Sequence, residues 1–181
     1  MSMKERLFSA VGICAGLFIG TMAQARTSSG VLFTGNVYMY NTTEEHTPGS
    51  KVDTKSSIYD LKLGYLNGDG LYLGGLYTLR NHDSGSTSED GKALGLSLGY
   101  IGANSFFIKG HYIVSADKGN YKEGSGYQVD LGYITNITGS FLVGVELTYR
   151  SIEYKKNDSI SGFDKMKKEE LFPMLTVGLL F

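Results

Sequence analysis

The chain has 181 residues, with 17 Lys and Arg against 18 Asp and Glu and a formal net charge of −1. That length holds one domain, and neither the balance nor any basic run gives the footprint of a nucleic-acid-binding protein. Its single cysteine is Cys14, so a disulfide framework and a cysteine-ligated metal are excluded downstream of it.

Lys4 and Arg6 make a basic start, a mostly apolar run follows from Leu7 to Met22, and Ala23-Gln24-Ala25 supplies small residues for cleavage. This pattern predicts a secretory signal peptide over 1–25 and a mature domain over 26–181. The apolar run is short of the roughly 20 residues that a spanning helix needs. Ile13, not a small residue, precedes Cys14, which argues against lipidation.

Eight strand-like segments follow, near 31–42, 56–67, 71–82, 92–102, 105–116, 125–136, 140–154 and 169–181. Leu63-Gly64-Tyr65-Leu66, Leu98-Gly99-Tyr100-Ile101 and Leu131-Gly132-Tyr133-Ile134 each run into a short turn, at 67–70, 102–105 and 136–139. One hairpin unit is thereby repeated. The other four connections, 43–55, 83–91, 117–124 and 155–168, read as longer polar loops. Pro173 suits an edge or the start of a strand.

One register of each strand is almost wholly apolar or aromatic, for example Leu94, Leu96, Leu98 and Tyr100. The other mixes glycine, threonine, asparagine and ions. In a soluble, lipocalin-like barrel the apolar register would face inward, and in an outer-membrane barrel the assignment is inverted. An eight-stranded interior is only wide enough for side chains, so the many large apolar groups and the glycine-rich polar register favour inversion. Tyr65, Tyr100 and Tyr133 fall at one end of the apolar band, and Tyr77, Tyr112 and Tyr149 toward the other. These six are the expected interface girdle, since tyrosine is apolar in body and polar at its tip. The fold class expected is all-β, an eight-stranded antiparallel up-and-down transmembrane β-barrel in a bacterial outer membrane.

The signal peptide, the eight alternating strands and Phe181 preceded by Leu179, Val177 and Leu175 together resemble the small outer-membrane barrels of Gram-negative bacteria. The OmpX type and the transmembrane domain of OmpA are nearest in size. The resemblance implies Phe181 as an assembly signal read by the barrel-assembly machinery, with outer-membrane lipid and lipopolysaccharide as surroundings. An aromatic usual two residues before the final Phe is here Leu179.

Sorting inward residues by height predicts a hydrophobic plug at the periplasmic end: Leu32, Leu66, Tyr72, Ile101, Phe107, Ile134, Leu142 and Leu180. Above it stand four cations and four anions: Lys62, Lys109, Asp130 and Glu146, then Asp60, Arg80, Arg150 and Glu170 nearer the outer rim. Hairpin arithmetic pairs Lys109 with Asp130, Asp60 with Arg80 and Arg150 with Glu170, leaving Lys62 to meet Glu146 across the lumen. Balanced pairing is what a closed interior requires.

Enzymatic alternatives are weaker. Lipid A deacylases resemble a His-x-Ser-Asn signature on the lipid face, but His111-Tyr112-Ile113-Val114-Ser115 has other spacing and His111 points inward. Palmitoyl-transferring barrels use a His, an Asp and a Ser near the outer loops. His46 and His82-Asp83-Ser84 have those residue types, although a polar loop mouth is more often turn chemistry. The 67–70 segment, Asn-Gly-Asp-Gly, lacks the remaining ligands of a calcium loop. No cofactor is expected. The expected function is a non-enzymatic envelope structural or surface-interaction scaffold that offers an extracellular ligand its loops. A small-solute or apolar-molecule conduit and a lipid A-modifying enzyme are the competitors. The charged loop 155–170, with Lys165, Lys167 and Lys168, reads either as a merely solvated loop or as a contact for lipopolysaccharide phosphates.

Overall fold

Alternation over eight segments closes into one sheet. The structure, a computed structural model, describes residues 29–46, 50–84 and 87–181. The expected signal peptide over 1–25 lies outside them. The strands are β1 (Gly30–His46), β2 (Ser50–Leu66), β3 (Leu71–Ser84), β4 (Thr87–Ile101), β5 (Phe106–Lys118), β6 (Tyr121–Thr138), β7 (Phe141–Asn157) and β8 (Met166–Leu180). Each pairs antiparallel with the next, and β8 closes on β1.

The three short turns lie at one end of the barrel, called here the turn end. At the first, Asn67 Oδ1 accepts from the backbone N–H groups of Asp69 (3.0 Å) and Leu71 (2.8 Å). Gly70 sits at φ +90°, a conformation that costs glycine nothing. The turn residues satisfy one another there.

At the other end, the rim, the four expected loops are mostly strand. The β1–β2 ladder runs to His46↔Ser50 and the β3–β4 ladder to Ser84↔Thr87. Only 119–120 separates β5 from β6, and 158–165 separates β7 from β8. The apolar register that marks a strand in the sequence ends below these segments. Backbone pairing does not need it and continues through polar residues. Four tall hairpins stand where loose loops were expected.

Orientation follows the register. Leu73, Leu96 and Leu171 are each 65% exposed on the outer face, while Asp60, Lys62, Gln128 and Asp130 are fully buried in the lumen. A bulge between β4 and β5 adjusts the pattern. Leu94 faces Ser115 and Gly95 faces Ile113, so the inward register moves from Ile113 to Ala116.

The inward glycines make room for large neighbours. A Cβ at Gly74 would lie 2.6 Å from the Tyr72 hydroxyl and 2.4 Å from the Leu63 carbonyl oxygen, whereas one at outward-facing Gly75 would meet only the Gly95 oxygen, at 3.6 Å. Gly74→Ala is therefore expected to lower stability by about 1–3 kcal/mol through overpacking. The adjacent Gly75→Ala should stay within about 0.5 kcal/mol of the parent. Denaturant unfolding followed by circular dichroism compares the two.

Candidate functional site

The lumen is built in tiers. At the turn end Leu32, Leu66, Tyr72, Ile101, Phe107, Ile134 and Leu142 form one buried cluster with Leu180 packed against it. All eight plug residues come together, one from each strand. They seal that end because every strand enters the barrel with an inward apolar residue next to its turn or terminus.

Above the plug Lys62, Asp130, Glu146, Asp60 and Arg150 belong to one connected network. Lys62 Nζ donates to Asp130 Oδ2 (2.5 Å) and to Glu146 Oε1 (2.7 Å). Asp130 also accepts from Gln128 Nε2 (2.9 Å) and Thr148 Oγ1 (3.0 Å). Gln128 extends the chain, donating to Asp60 Oδ2 (3.0 Å) and accepting from Arg150 Nε (2.7 Å). Arg150 Nη2 then reaches both Asp60 oxygens at 2.8 Å. Three cations, Lys62, Lys109 and Arg150, thus face three carboxylates, Asp60, Asp130 and Glu146. Neutrality inside the barrel avoids the cost of several kcal/mol for each uncompensated ion.

The pairing differs from the hairpin arithmetic in three places. The backbone register does set Lys109 opposite Asp130 and Arg150 opposite Glu170, but long side chains reach across the lumen instead. Arg150 bonds Asp60, and Arg80 closes a bidentate pair with Glu170, one arm of which is 2.7 Å. Lys109 has no ion pair among the described residues. Its ammonium stands over the rings of Phe107 (4.6 Å) and Tyr72 (5.0 Å), capping the plug. In a lumen this narrow a partner three strands away is as near as the neighbour on the next strand.

His111 joins the network where the sequence reading gave it no role. Its Nδ1 lies 2.7 Å from Ser97 Oγ and its Nε2 2.8 Å from Asp130 Oδ2. Serine, histidine and aspartate are in line as in a hydrolase triad. Ser97 is only 2% exposed and His111 3%, and neither lines a described cavity. The geometry is that of an internal strut. No protein-family model matches the chain, and no curated protein matches it.

Higher still, apolar residues interrupt the polar register. Ile58, Phe172 and Met174 cluster with Tyr38, and Ala93, Ile113, Ala116, Ile152 and Tyr154 form a second group. This upper collar was legible only as isolated apolar letters among polar ones.

Above the collar, at the rim, a cavity of about 410 Å³ is lined by residues that include Tyr38, Tyr40, Arg80, His82, Lys118 and Lys168. Lys168 lies above the apolar band. Burial first, and then the Arg80 guanidinium, pushes its ammonium down to about 8. Of the three loop-mouth residues weighed as an enzymatic alternative, His82, Asp83 and Ser84, only His82 lines the cavity. Ser84 Oγ lies 3.3 Å from Thr54 Oγ1, and Asp83, one residue away on the strand, projects to the opposite face. His46 belongs to β1. Lys165 pairs with Glu153 (3.4 Å), Lys167 with Glu169 (2.6 Å) and Lys168 with Glu170 (2.9 Å).

The six expected girdle tyrosines lie on the outer register. Tyr149 donates to Glu169 (3.1 Å) and packs on Tyr127, and Tyr133 meets Phe106 edge-on. Phe181 is exposed, and its backbone exchanges two 3.0 Å hydrogen bonds with Val31.

Asp130 holds four donors, so Asp130→Ala is expected to cost about 3–5 kcal/mol, because it leaves Lys62 with Glu146 alone and the lumen with one uncompensated positive charge. Thr148→Val removes one of those donors and should cost about 1 kcal/mol. Equilibrium unfolding of the two variants in urea gives the comparison. Equal effects would mean that the network is not centred on Asp130.

Proposed function

We propose that the chain is an outer-membrane β-barrel of the small eight-stranded kind its alternation resembles, serving the envelope as a structural and surface-interaction scaffold without catalytic turnover. The observation that carries this reading is the arrangement of polarity. The outer face is a belt without a charged side chain between Leu71 and Leu79 on β3 or between Phe141 and Tyr149 on β7, while paired ions fill the inside. Nine residues at about 3.3 Å each, tilted by about 40°, rise roughly 23 Å, close to the apolar height of such barrels. An exposed apolar belt of this extent needs a lipid covering.

On this reading residues 1–25 are removed on export, the turn end faces the periplasm, and the four polar hairpins rise from the outer surface. The tyrosines at 65, 100 and 133 and at 77, 112 and 149 sit at the two lipid boundaries. The barrel-assembly machinery, lipid and lipopolysaccharide are its partners in place, and the hairpins present a rigid surface to an extracellular ligand. The plug and the ion network fill the lumen between them, which favours a scaffold over a conduit along the barrel axis.

Reconstituted in planar bilayers, the chain is expected to give no steady conductance, and stable large channels would contradict the filled lumen. Deleting the gene in its host should raise envelope sensitivity to detergents and leave the acyl pattern of lipid A unchanged. A changed acyl pattern would favour the enzymatic alternative.

A further inference from the structure

Among the described residues, the β1–β8 seam is the junction whose ladder stops while both of its strands continue. Its ladder runs from Leu32↔Leu180 to Val37↔Leu175 and stops. Yet β1 continues beside β2 as far as His46, and β8 lies beside β7 from Met166 onward. The cause is written in one residue. Phe181 exchanges backbone N–H and C=O with Val31, while the Leu180 N–H turns the other way, to Ser140. Backbone groups alternate in direction along an antiparallel strand, so the odd-numbered positions of β8 face β1. Beyond Leu175 the next of these is Pro173, which has no N–H to give. The ladder ends where its next donor is missing.

Behind the open part of the seam lies the 410 Å³ cavity, a volume in the range of small-molecule sites. Its lining includes Tyr38 and Tyr40 from β1, and Leu171 and Phe172 from β8. Leu171, on the outward register of β8 and strongly exposed, is among the lining residues, so the cavity reaches the open part of the seam. The floor is apolar: the Tyr38 and Phe172 rings stack at 5.3 Å beside Ile58. The upper wall is cationic. Arg80, Lys118 and Lys168 meet a single carboxylate among the lining residues, Glu170, which Arg80 and Lys168 share. Lys118 pairs with Glu89, at 3.2 Å.

We propose that this lateral slot binds a single-chain amphiphile with a carboxylate head, of the fatty-acid class. The chain enters between β1 and β8 and lies against Tyr38, Ile58 and Phe172, while the head is held by Lys118 and Lys168. The cavity has room for one acyl chain and not for the several chains of a lipopolysaccharide anchor. A carboxylate at the cationic wall gains charge-assisted hydrogen bonds and relieves the crowding of three cations. A peptide strand added to the free edge of β8 would meet the same missing donor at Pro173, so strand addition fits less well. The proposal rests on the membrane reading above.

The test uses the mature chain 26–181 in phosphatidylcholine liposomes, with Tyr40→Trp as reporter, since the protein has no tryptophan. A brominated long-chain fatty acid is titrated in, and quenching of the reporter is followed. Co-flotation with the liposomes is measured on the same samples. Quenching should saturate, and the half-saturation point should rise about tenfold or more in the Lys118→Gln/Lys168→Gln variant. The brominated methyl ester, lacking the charge, should quench without saturating. Pro173→Val restores the donor, and ladder growth past Leu175 should reduce the quenching at saturation. Flotation with quenching that never saturates and is the same in all variants overturns the slot. Saturation by a brominated two-chain phosphatidylglycerol, but not by the fatty acid, overturns the assignment of its occupant. Failure to float overturns the membrane reading itself.

Discussion

Asp130 is the point on which the barrel closes. Its carboxylate gathers Lys62 from β2, His111 from β5, Gln128 from its own strand and Thr148 from β7, joining distant walls through one pair of oxygens. The constraint behind this is elementary. A sheet closed with its apolar face outward has to put its ions inside, where there is no bulk water to solvate them. They persist only as a neutral, hydrogen-bonded set. The network also guards the register, because a slip of one residue would turn Asp130 and Glu146 outward and a leucine inward.

Much of this was legible in the sequence. Alternation gave the number of strands, their antiparallel order and the face each residue takes. The eight plug residues followed from their position beside a turn or terminus. Legibility failed where distance across the lumen mattered. Nothing in the order of residues says that Arg150 reaches Asp60 in preference to Glu170 opposite it, or that Lys109 leans over Phe107 and Tyr72. His111 and Gln128 stood in the right register without announcing themselves as the links of the network. The rim hairpins were missed for a different reason: polar strands pair as well as apolar ones but leave no periodic signal.

Pro173 shows the opposite case, a single residue whose meaning depends on its partner strand. Taken alone it signals an edge. Placed on β8 it fixes where the closing ladder stops, and therefore where the wall opens. The barrel is thus sealed at the turn end, filled through its middle and open at one side near the rim. The proposed scaffold role and the proposed lateral site are compatible, because the opening lies above the ion network and leaves it intact.

The central claim is that the even-numbered side chains of β4 face lipid and the odd-numbered ones face the lumen. Spin labels placed one at a time from 94 to 101 in liposome-reconstituted protein report this directly through their collisions with oxygen and with a water-soluble nickel complex. The account predicts a period of two, with oxygen contact highest at 94, 96, 98 and 100. Maxima for the nickel complex at those same positions, with oxygen contact low, would mean that the apolar face does not meet lipid.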